Sequence, residues 1–363
     1  MLIMENAEAQ KNLTVKDYAY RITAAIANAI LVTLGIGLLL QTFASFVHWN
    51  ALSQVGLIAN SLLAPALGVA VASQLGTNSL VMFSAMISST IGANAVHFTT
   101  GAVNGTTATG ANLMQAAGSI TLSTGQPISA VLAGLIAALV GKYLTGKTPL
   151  DMMLVPLAAT FIGGVAGLGL AAVTTPLLLG VSAYIAETMQ VNPLIGSICV
   201  SVVWALFLMT PASSAALAIA LTLDPISSAA ALIGTTSQFV AFTVMSFRQN
   251  NLGANIAQGI ITPKVQFPNL LLNPYLLLPS MLSAIVCAPI ATIFFGFRST
   301  YKLAGLGLNS FIAPLAYAAQ GWGDLAVYLF TGVVLPAAIS LVAYSMMKKA
   351  GFIRNNQLHL EIV

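Results

Sequence analysis

The sequence contains few charged residues. Of its 363 residues only 6% are Asp, Glu, Lys or Arg, whereas 58% are hydrophobic, and the mean hydropathy is +0.93. A soluble domain averages about 25% charged residues. So few charges cannot cover a water-facing surface, and this composition excludes an ordinary soluble globular protein.

Residues with chemical reactivity are also scarce. The only cysteines, Cys199 and Cys287, lie within apolar runs, without metal-ligand spacing or a basic neighbour that would activate a thiol. The sequence contains no Ser-His-Asp set, no glycine-rich phosphate loop and no cluster of metal ligands. We therefore predict no catalytic residues, no metal site and no cofactor, and we interpret both cysteines as packing residues.

Hydrophobic runs of roughly 20 residues, each long enough to cross the hydrocarbon layer, recur along most of the chain. Residues 22–47, 152–172 and 275–297 are apolar without the alternation of a transmembrane β-strand. Backbone polar groups in lipid need internal partners, so these segments are predicted to be helices. The predicted fold is all-α: a polytopic transmembrane helix bundle of about ten spans, with re-entrant hairpins where Gly and Pro interrupt the runs.

The basic residues predict the orientation of the chain in the cell membrane. Lys and Arg accumulate in cytoplasmic loops, so both termini are predicted to be cytoplasmic. The corresponding organisation is a leader at residues 1–21, a transmembrane domain at 22–347 and a tail at 348–363. Because these residues lie at helix ends and not in a patch with aromatic residues, nucleic-acid binding is not expected despite the net charge of +4. The basic residues that predict this orientation are Lys11, Lys16, Arg21, Lys142, Lys147, Arg298, Lys302, Lys348, Lys349 and Arg354.

Three segments are too polar or too interrupted to be ordinary spans. The first, residues 76–126, contains Asn94, His97 and many Thr and Gly residues but no Asp, Glu, Lys or Arg. Its hydroxyl and amide groups could bind a neutral solute. An exposed extracellular loop has the same composition over residues 101–125. His97 could hydrogen-bond a solute or be structural.

The second segment includes Thr210-Pro211-Ala212-Ser213-Ser214 and, beyond it, residues 234–238. Proline breaks the helical ladder, and nearby Ser, Thr and Gln can pair with the freed backbone groups or face a cavity. Small residues also pack membrane helices together, which is the favoured interpretation for the serines. Gln238 is the candidate ligand contact.

The third segment, residues 249–275, combines a run of amide side chains with Thr262-Pro263-Lys264. It has too few apolar residues for an uninterrupted span, so a re-entrant hairpin or a broken helix is predicted. Transporters bind solutes at such breaks. Lys264 could serve the site or extend its ammonium to the interface. Together, the predicted substrate-binding residues are Asn94, His97, Gln238, Asn255, Thr262, Lys264, Gln266 and Asn269.

The third segment also resembles a family motif. Gly259-Ile-Ile-Thr262-Pro263-Lys264-Val-Gln-Phe267-Pro268, followed by Asn273-Pro274, is similar to the Gly-Ile-Thr-Glu, Phe-Pro and Asn-Pro or Lys-Pro pattern of membrane IIC components of the sugar phosphotransferase system, mannitol and fructose branch. The stretch from Thr148 to Pro156 resembles the family's cytoplasmic loop. The likeness extends over about residues 14–347 and is closest to divergent IIC-like proteins, including perfringolysin-regulator-like membrane proteins.

The resemblance implies a membrane transporter of a small polar solute, usually a sugar, surrounded by membrane lipid. It further implies a homodimer with a scaffold part and a transport part, and separate soluble IIA and IIB phosphocarrier subunits. The chain would then be at most the membrane subunit of a sugar phosphotransferase. The family's sugar-contacting glutamate is replaced by Pro263, with Lys264 next to it; a cation there would favour an anionic substrate. A membrane-embedded solute sensor or regulator without transport is the alternative function.

Overall fold

A computed structural model describes residues 14–107 and 109–360. The predicted leader and tail therefore lie partly outside the described residues, over 1–13 and 361–363. The described chain is predominantly α-helical, which confirms the all-α prediction. Contacts between segments divide it into two compact units, unit 1 with residues 14–174 and unit 2 with residues 175–360.

Unit 1 is built from short helices whose ends are fixed by local sequence. Thr14 forms a capping box with Asp17, and the side chains of Asn78 and Gln126 accept hydrogen bonds from the first turns of the helices that follow them. A π-helical turn at Leu31–Gly35 joins the first two helices into one apolar stretch. The helices are α1 (Val15–Ile30), α2 (Ile36–Val47), α3 (Asn50–Ser61), α4 (Leu63–Gln74), α5 (Ser79–Gly92), α6 (Pro127–Leu144) and α7 (Asp151–Val191), whose last residues belong to unit 2.

Four short strands separate α5 from α6: β1 (Val96–Phe98), β2 (Val103–Thr106), β3 (Asn112–Gln115) and β4 (Ile120–Leu122). β1 pairs with β4 and β2 with β3, both antiparallel, so the polar segment doubles back on itself as a ribbon. Nearly all its strand residues are exposed. The sequence did not predict these strands, because Thr, Asn and Gly clusters without an apolar face are typical of a loop.

The core of unit 1 lies between α4, α5 and α6. Leu67, Val71 and Val81 are fully buried there among many alanines. The hydroxyl of Ser89 on α5 donates to the carbonyl of Ala130 on α6 at 2.8 Å. Small residues and interhelical hydroxyl bonds are the usual means by which membrane helices approach closely.

In unit 2 several helices begin at an Asn-Pro or Asp-Pro pair. Asn192, Asp224 and Asn273 each accept backbone N–H groups just beyond the following proline, whose missing N–H costs nothing at a first turn. The helices are α8 (Pro193–Met209), α9 (Ser214–Ala220), α10 (Pro225–Ser246), α11 (Leu252–Ile256), α12 (Phe267–Leu272), α13 (Leu278–Pro289), α14 (Ile312–Gln320), α15 (Trp322–Leu329) and α16 (Leu335–Lys349). Shorter π and 3₁₀ turns are Ala257–Ile261, Pro263–Gln266, Pro274–Leu277, Ile290–Phe294, Asn309–Phe311 and Phe330–Val334.

Helix α10 lies at the centre of unit 2. It packs against α8, α13 and α16, and even its polar residues Thr235, Thr236, Ser237 and Gln238 are fully buried. Hydroxyls of this helix are accommodated by donating to carbonyls one turn back, as Ser237 does to Ile233 at 2.9 Å. Because α10 is buried along most of its length, its packing fixes the positions of the polar side chains that it carries.

Six helices of the described chain are long and apolar enough to span a membrane, or seven if α3 and α4, bent by 50° at their junction, form one span. The chain is therefore a multi-pass membrane protein. Helix α7 contains 41 residues, which at about 1.5 Å per residue is roughly twice the hydrocarbon thickness. The number of helices therefore does not give the number of membrane crossings. The count of about ten crossings stays a prediction.

Candidate functional site in unit 2

Three stretches of irregular backbone interrupt the helices of unit 2. Residues 210–213 interrupt the chain between α8 and α9, residues 257–266 between α11 and α12, and residues 296–311 precede α14. Ala212, Thr262 and Ala304 within these segments are buried. In a membrane protein, non-helical backbone is tolerated only where protein encloses it or where it lines an aqueous cavity. These three interruptions therefore define the candidate site.

Lys264 connects the first two interruptions. Its ammonium donates to the carbonyl of Ala212 at 2.8 Å, to that of Phe207 at 3.3 Å and to that of Thr210. The side chain is only 6% exposed. The carbonyls at the end of α8 carry partial negative charge, and among the described residues only that of Phe207 has other donors, the N–H and hydroxyl of Thr210, so a cation suits this position. Lys264 thus holds the break after α8 against the break after α11.

The contacts of the Lys264 ammonium also bear on the expectation that the substrate is an anion. An ammonium has three N–H donors, and those of Lys264 are directed at three carbonyls. The neighbouring Thr262 hydroxyl accepts the backbone N–H of Lys264 at 3.3 Å, which fixes the turn. Lys264 has no remaining donor for an anion, so the anionic-substrate expectation finds no support.

Buried amide side chains form a continuous network beside Lys264. Gln258 donates to Asn255 at 2.9 Å and to the hydroxyl of Ser246 at 2.7 Å. Gln266 donates to the side-chain oxygen of Gln258 at 2.8 Å, and Asn269 donates to that of Gln266 at 2.8 Å. Such networks are specific when every member is paired, because the interior dielectric raises the cost of an unpaired amide.

The C-terminal segment, residues 351–360, completes this network; we call it the C-terminal strap. The carbonyl of Leu358 accepts from Gln266 at 3.0 Å and from Asn250 at 2.9 Å, and the carbonyl of His359 accepts from Asn269 at 2.9 Å. Leu358 is fully buried. The segment predicted only as a tail is therefore anchored in unit 2 by the buried side chains of Ile353 and Leu358.

Gln238 on α10 is the exception to this complete pairing. Its Nε2 lies 3.5 Å from the carbonyl of Gly234 and 3.4 Å from that of Ser280, at the long limit of hydrogen bonding. Its Oε1 is buried and has no hydrogen-bond partner among the described residues. A buried unpaired acceptor costs about 1–3 kcal/mol, so it calls for a functional or structural explanation. A solute hydroxyl would satisfy it.

The third interruption brings unusual backbone into the same interior. Ser310 and Phe311 have φ of 50° and 57°, a left-handed conformation that non-glycine residues rarely adopt. The carbonyl of Gly305 accepts the hydroxyl of Ser214 at 2.8 Å, and that of Gly307 accepts the hydroxyl of Tyr328 at 3.2 Å. Unfavourable backbone held by its surroundings is found preferentially at functional sites.

Gly305 allows a test of this buried loop. Its φ is +81°, and a Cβ added there would lie 2.6 Å from the backbone of Ser214. We expect Gly305→Ala to destabilise the protein by about 2–4 kcal/mol, from left-handed strain plus overpacking, measured as a loss of thermal stability in detergent.

Gly351 is the matched control, because its φ is also +81° but nothing lies within 4 Å of the added Cβ. Gly351→Ala should cost only about 1–2 kcal/mol of backbone strain. Equal losses from the two variants would contradict the close packing of Gly305 against Ser214.

The predicted site residues thus fall into separate groups. Asn255, Gln266 and Asn269 meet in the amide network, and Thr262 and Lys264 lie at the break in front of it. Gln238 lies on α10, which packs directly against Ala257–Ile261 and Pro263–Gln266.

Asn94 and His97 belong to unit 1. Both are exposed, at the entry to the ribbon and on β1, and His97 Nε2 lies 3.3 Å from the hydroxyl of Ser123. Their proposed roles in binding stay predictions.

Sequence reasoning missed part of this arrangement. Gln258 and Asn250 were noted only as part of a polar run, although the spacing of Asn255 and Gln258, one helical turn apart, could have indicated a shared face. The partners supplied by Leu358 and His359 had no comparable signal, because backbone carbonyls have no sequence signature. Among residues 14–107 and 109–360, no group of His, Cys, Asp or Glu could hold a metal ion.

A multi-span helical protein whose helices break around buried polar side chains has the design of a membrane transport protein. Residues 20–360 match the family model described as "Phosphotransferase system, EIIC", so the chain belongs to that family. No curated protein and no solved structure matches it. The chain is a membrane transporter subunit for sugars, of a family that works with soluble IIA and IIB partners. The resemblance to the family is confirmed, and the mannitol and fructose branch stays a prediction.

Proposed function

We propose that unit 2 binds the transported sugar at the helix breaks, with Gln238 as the central contact. The observation that carries this proposal is the buried Oε1 of Gln238, which has no partner among the described residues. The helix that bears it packs directly against the interrupted segments Ala257–Ile261 and Pro263–Gln266. The unpaired acceptor therefore lies on the element against which the broken helices are packed.

Uncharged groups suit a sugar ligand. Each sugar hydroxyl both donates and accepts, and carboxamide and hydroxyl side chains offer both functions without the desolvation cost of a full charge. In this proposal Gln238 and Thr262 contact the sugar, and Lys264 fixes the breaks on which they depend. Gln266 and Asn269 reach the sugar when its hydroxyls replace the strap carbonyls of Leu358 and His359, and Asn255 reaches it when they replace the carbonyls of Phe247 and Asn250.

The remaining expectations from the family resemblance form part of the same proposal. We propose that the protein is a homodimer, that both termini are cytoplasmic, and that IIA and IIB subunits supply the phosphoryl group. The basic residues Lys348, Lys349 and Arg354 near the C-terminus support this orientation, because positive charge accumulates on the cytoplasmic side. No feature of the described residues favours a sensor or regulator over transport.

Gln238→Leu is the test of the sugar site. We expect at least a tenfold loss of affinity for the sugar that stabilises the wild-type protein in a panel of hexoses, hexitols and pentoses. We also expect unchanged or slightly higher basal stability, because leucine removes an unpaired buried carbonyl. Thermal melting of the purified protein with increasing sugar concentration gives both quantities.

Gln54→Leu is the control, since the side-chain oxygen of Gln54 in unit 1 is also buried without a described partner. It should leave sugar affinity unchanged. Unchanged affinity in Gln238→Leu, or equal losses in both variants, would contradict the proposed contact.

A further inference from the structure

A cavity with both polar and apolar lining residues opens where α10, α16 and the C-terminal strap meet. Its volume is about 720 Å³, within the usual range for small-molecule sites. Its polar lining comes from Arg248 and Gln249 after α10, from Tyr344 and Lys348 on α16, and from Asn355 and Asn356 in the strap. Gln238 and Thr262 do not line it, so this cavity is distinct from the proposed sugar contacts.

The two cations of this cavity, Arg248 and Lys348, are exposed and have no acidic partner in the described part of the chain. Arg248 and Lys348 both line it, and neither side chain has a hydrogen bond or ion pair among the described residues. Among residues 14–107 and 109–360, no Asp or Glu lines the cavity. The nearest carboxylate on the same helix, Asp224, caps the opposite end of α10, roughly 30 Å away at 1.5 Å per residue.

The general excess of positive charge at this end of unit 2 does not by itself explain why two cations line the same cavity. Lys349 and Arg354 are close in sequence to its lining residues, yet neither lines it. Positive charge at cytoplasmic helix ends explains the presence of all four basic residues. It does not explain why two of them converge on one concave, amide-lined space.

The strap wall of the cavity is fixed in place. The backbone N–H of Leu358 donates to Gln249 Oε1 at 3.0 Å, and Gln249 Nε2 donates to the hydroxyl of Tyr344 at 3.1 Å. Asn250 pairs with Leu360 at 2.8 Å. The loop carrying Asn355 and Asn356 is thereby tied to both α10 and α16, so the cavity is pre-formed rather than created by ligand.

We propose that this cavity binds a phosphate-bearing anion, with Arg248 and Lys348 as its cationic contacts. A guanidinium offers a planar pair of donors to two phosphate oxygens, an ammonium adds a compact charge, and the amide N–H groups of Asn355 and Asn356 can complete the shell. The volume leaves room for an organic group attached to the phosphate. An anionic phospholipid headgroup and a soluble phosphomonoester both supply this chemistry.

The test has a soluble and a lipid arm. In detergent free of anionic lipid and at constant ionic strength, inorganic phosphate and glycerol 3-phosphate are titrated into the protein by calorimetry. In the second arm, nanodiscs of phosphatidylcholine with or without phosphatidylglycerol are compared, and retained lipid is counted by native mass spectrometry. Saturable binding in the soluble arm identifies a soluble phosphate ligand, whereas binding only in the lipid arm identifies a headgroup site.

Two double variants each remove two positive charges, one pair from the cavity lining and the other from outside the cavity. R248Q/K348Q should weaken phosphate or headgroup binding at least tenfold, whereas K349Q/R354Q, with the same net charge, should change it less than twofold. Asn355→Asp, which adds a repelling carboxylate to the cavity without removing either cation, should also weaken binding.

Sugar affinity, measured in parallel, should be unchanged in all three variants, which separates failure of this site from failure of the sugar site. Equal losses in the two double variants, or no phosphate binding by the wild-type protein in either arm, would overturn the proposal.

Discussion

Replacing Lys264 with methionine is expected to destabilise the protein by about 2–4 kcal/mol. The substitution preserves most of the side-chain volume but leaves the carbonyls of Thr210 and Ala212 without this donor. The carbonyl of Phe207 also loses it but keeps its bonds from the N–H and hydroxyl of Thr210. Each buried acceptor that loses its partner costs about 1–3 kcal/mol, and removal of a buried charge offsets part of the sum. Thermal melting in detergent should show the loss, together with weaker sugar binding because the breaks are no longer held.

Two other lysines provide a graded control. Lys142 in unit 1 is exposed; its ammonium donates to a single carbonyl, that of Leu75, at 2.6 Å and lies 5.7 Å from the centre of the Tyr18 ring. Lys142→Met should cost about 0.5–1.5 kcal/mol. Lys302 is exposed and has no described partner, so Lys302→Met should be neutral within about 0.5 kcal/mol.

The graded series separates two roles for Lys264. The sequence alone predicts that removing Lys264 weakens solute binding without unfolding the protein. The three carbonyl contacts predict instead that stability and binding fall together. Weakened sugar binding with an unchanged melting temperature would refute the structural role and restore the direct one.

Deleting residues 351–363, which include the C-terminal strap, is expected to have the larger effect on stability. Ile353 and Leu358 are buried against residues of α8, α10 and α16, and burying such side chains contributes about 1.5–3 kcal/mol each. The deletion also removes the carbonyls that pair with Asn250, Gln266 and Asn269. We expect a loss of at least about 4 kcal/mol, seen as aggregation on extraction or a greatly lowered melting temperature.

Arg354→Ala is the control for the strap. Arg354 is exposed, and its one described hydrogen bond is made by its backbone N–H, to Gln357. This change should alter stability by less than about 0.5 kcal/mol. If the truncated protein has the same melting temperature as the wild-type protein, the strap contacts contribute nothing to the stability of the folded state.

Much of the fold follows from local sequence. The low charge and long apolar runs predict membrane helices, and Asn192-Pro193, Asp224-Pro225 and Asn273-Pro274 do begin helices or helical turns. Thr262-Pro263 marks a real interruption, because proline lacks the N–H that a continuing helix would need. These features depend on residues within a turn of one another, so a single sequence reveals them.

The site depends on longer-range contacts. Lys264 meets Thr210 across 54 positions, and Gln266 meets Leu358 across 92. The sequence marks both residues as polar groups in an apolar chain and therefore as candidates. It does not show that backbone carbonyls satisfy Lys264 fully while Gln238 keeps an unpaired oxygen.

The sequence by itself determined that this chain is a helical membrane protein of the EIIC type and indicated the helix breaks at Thr210-Pro211 and Thr262-Pro263, but not the one at residues 296–311. Only the tertiary structure decided which polar groups are already paired and which are left for a ligand. The physical reason is that solvent exclusion and backbone geometry act on each segment locally, whereas hydrogen-bond saturation inside a low-dielectric interior depends on which distant segments are brought together.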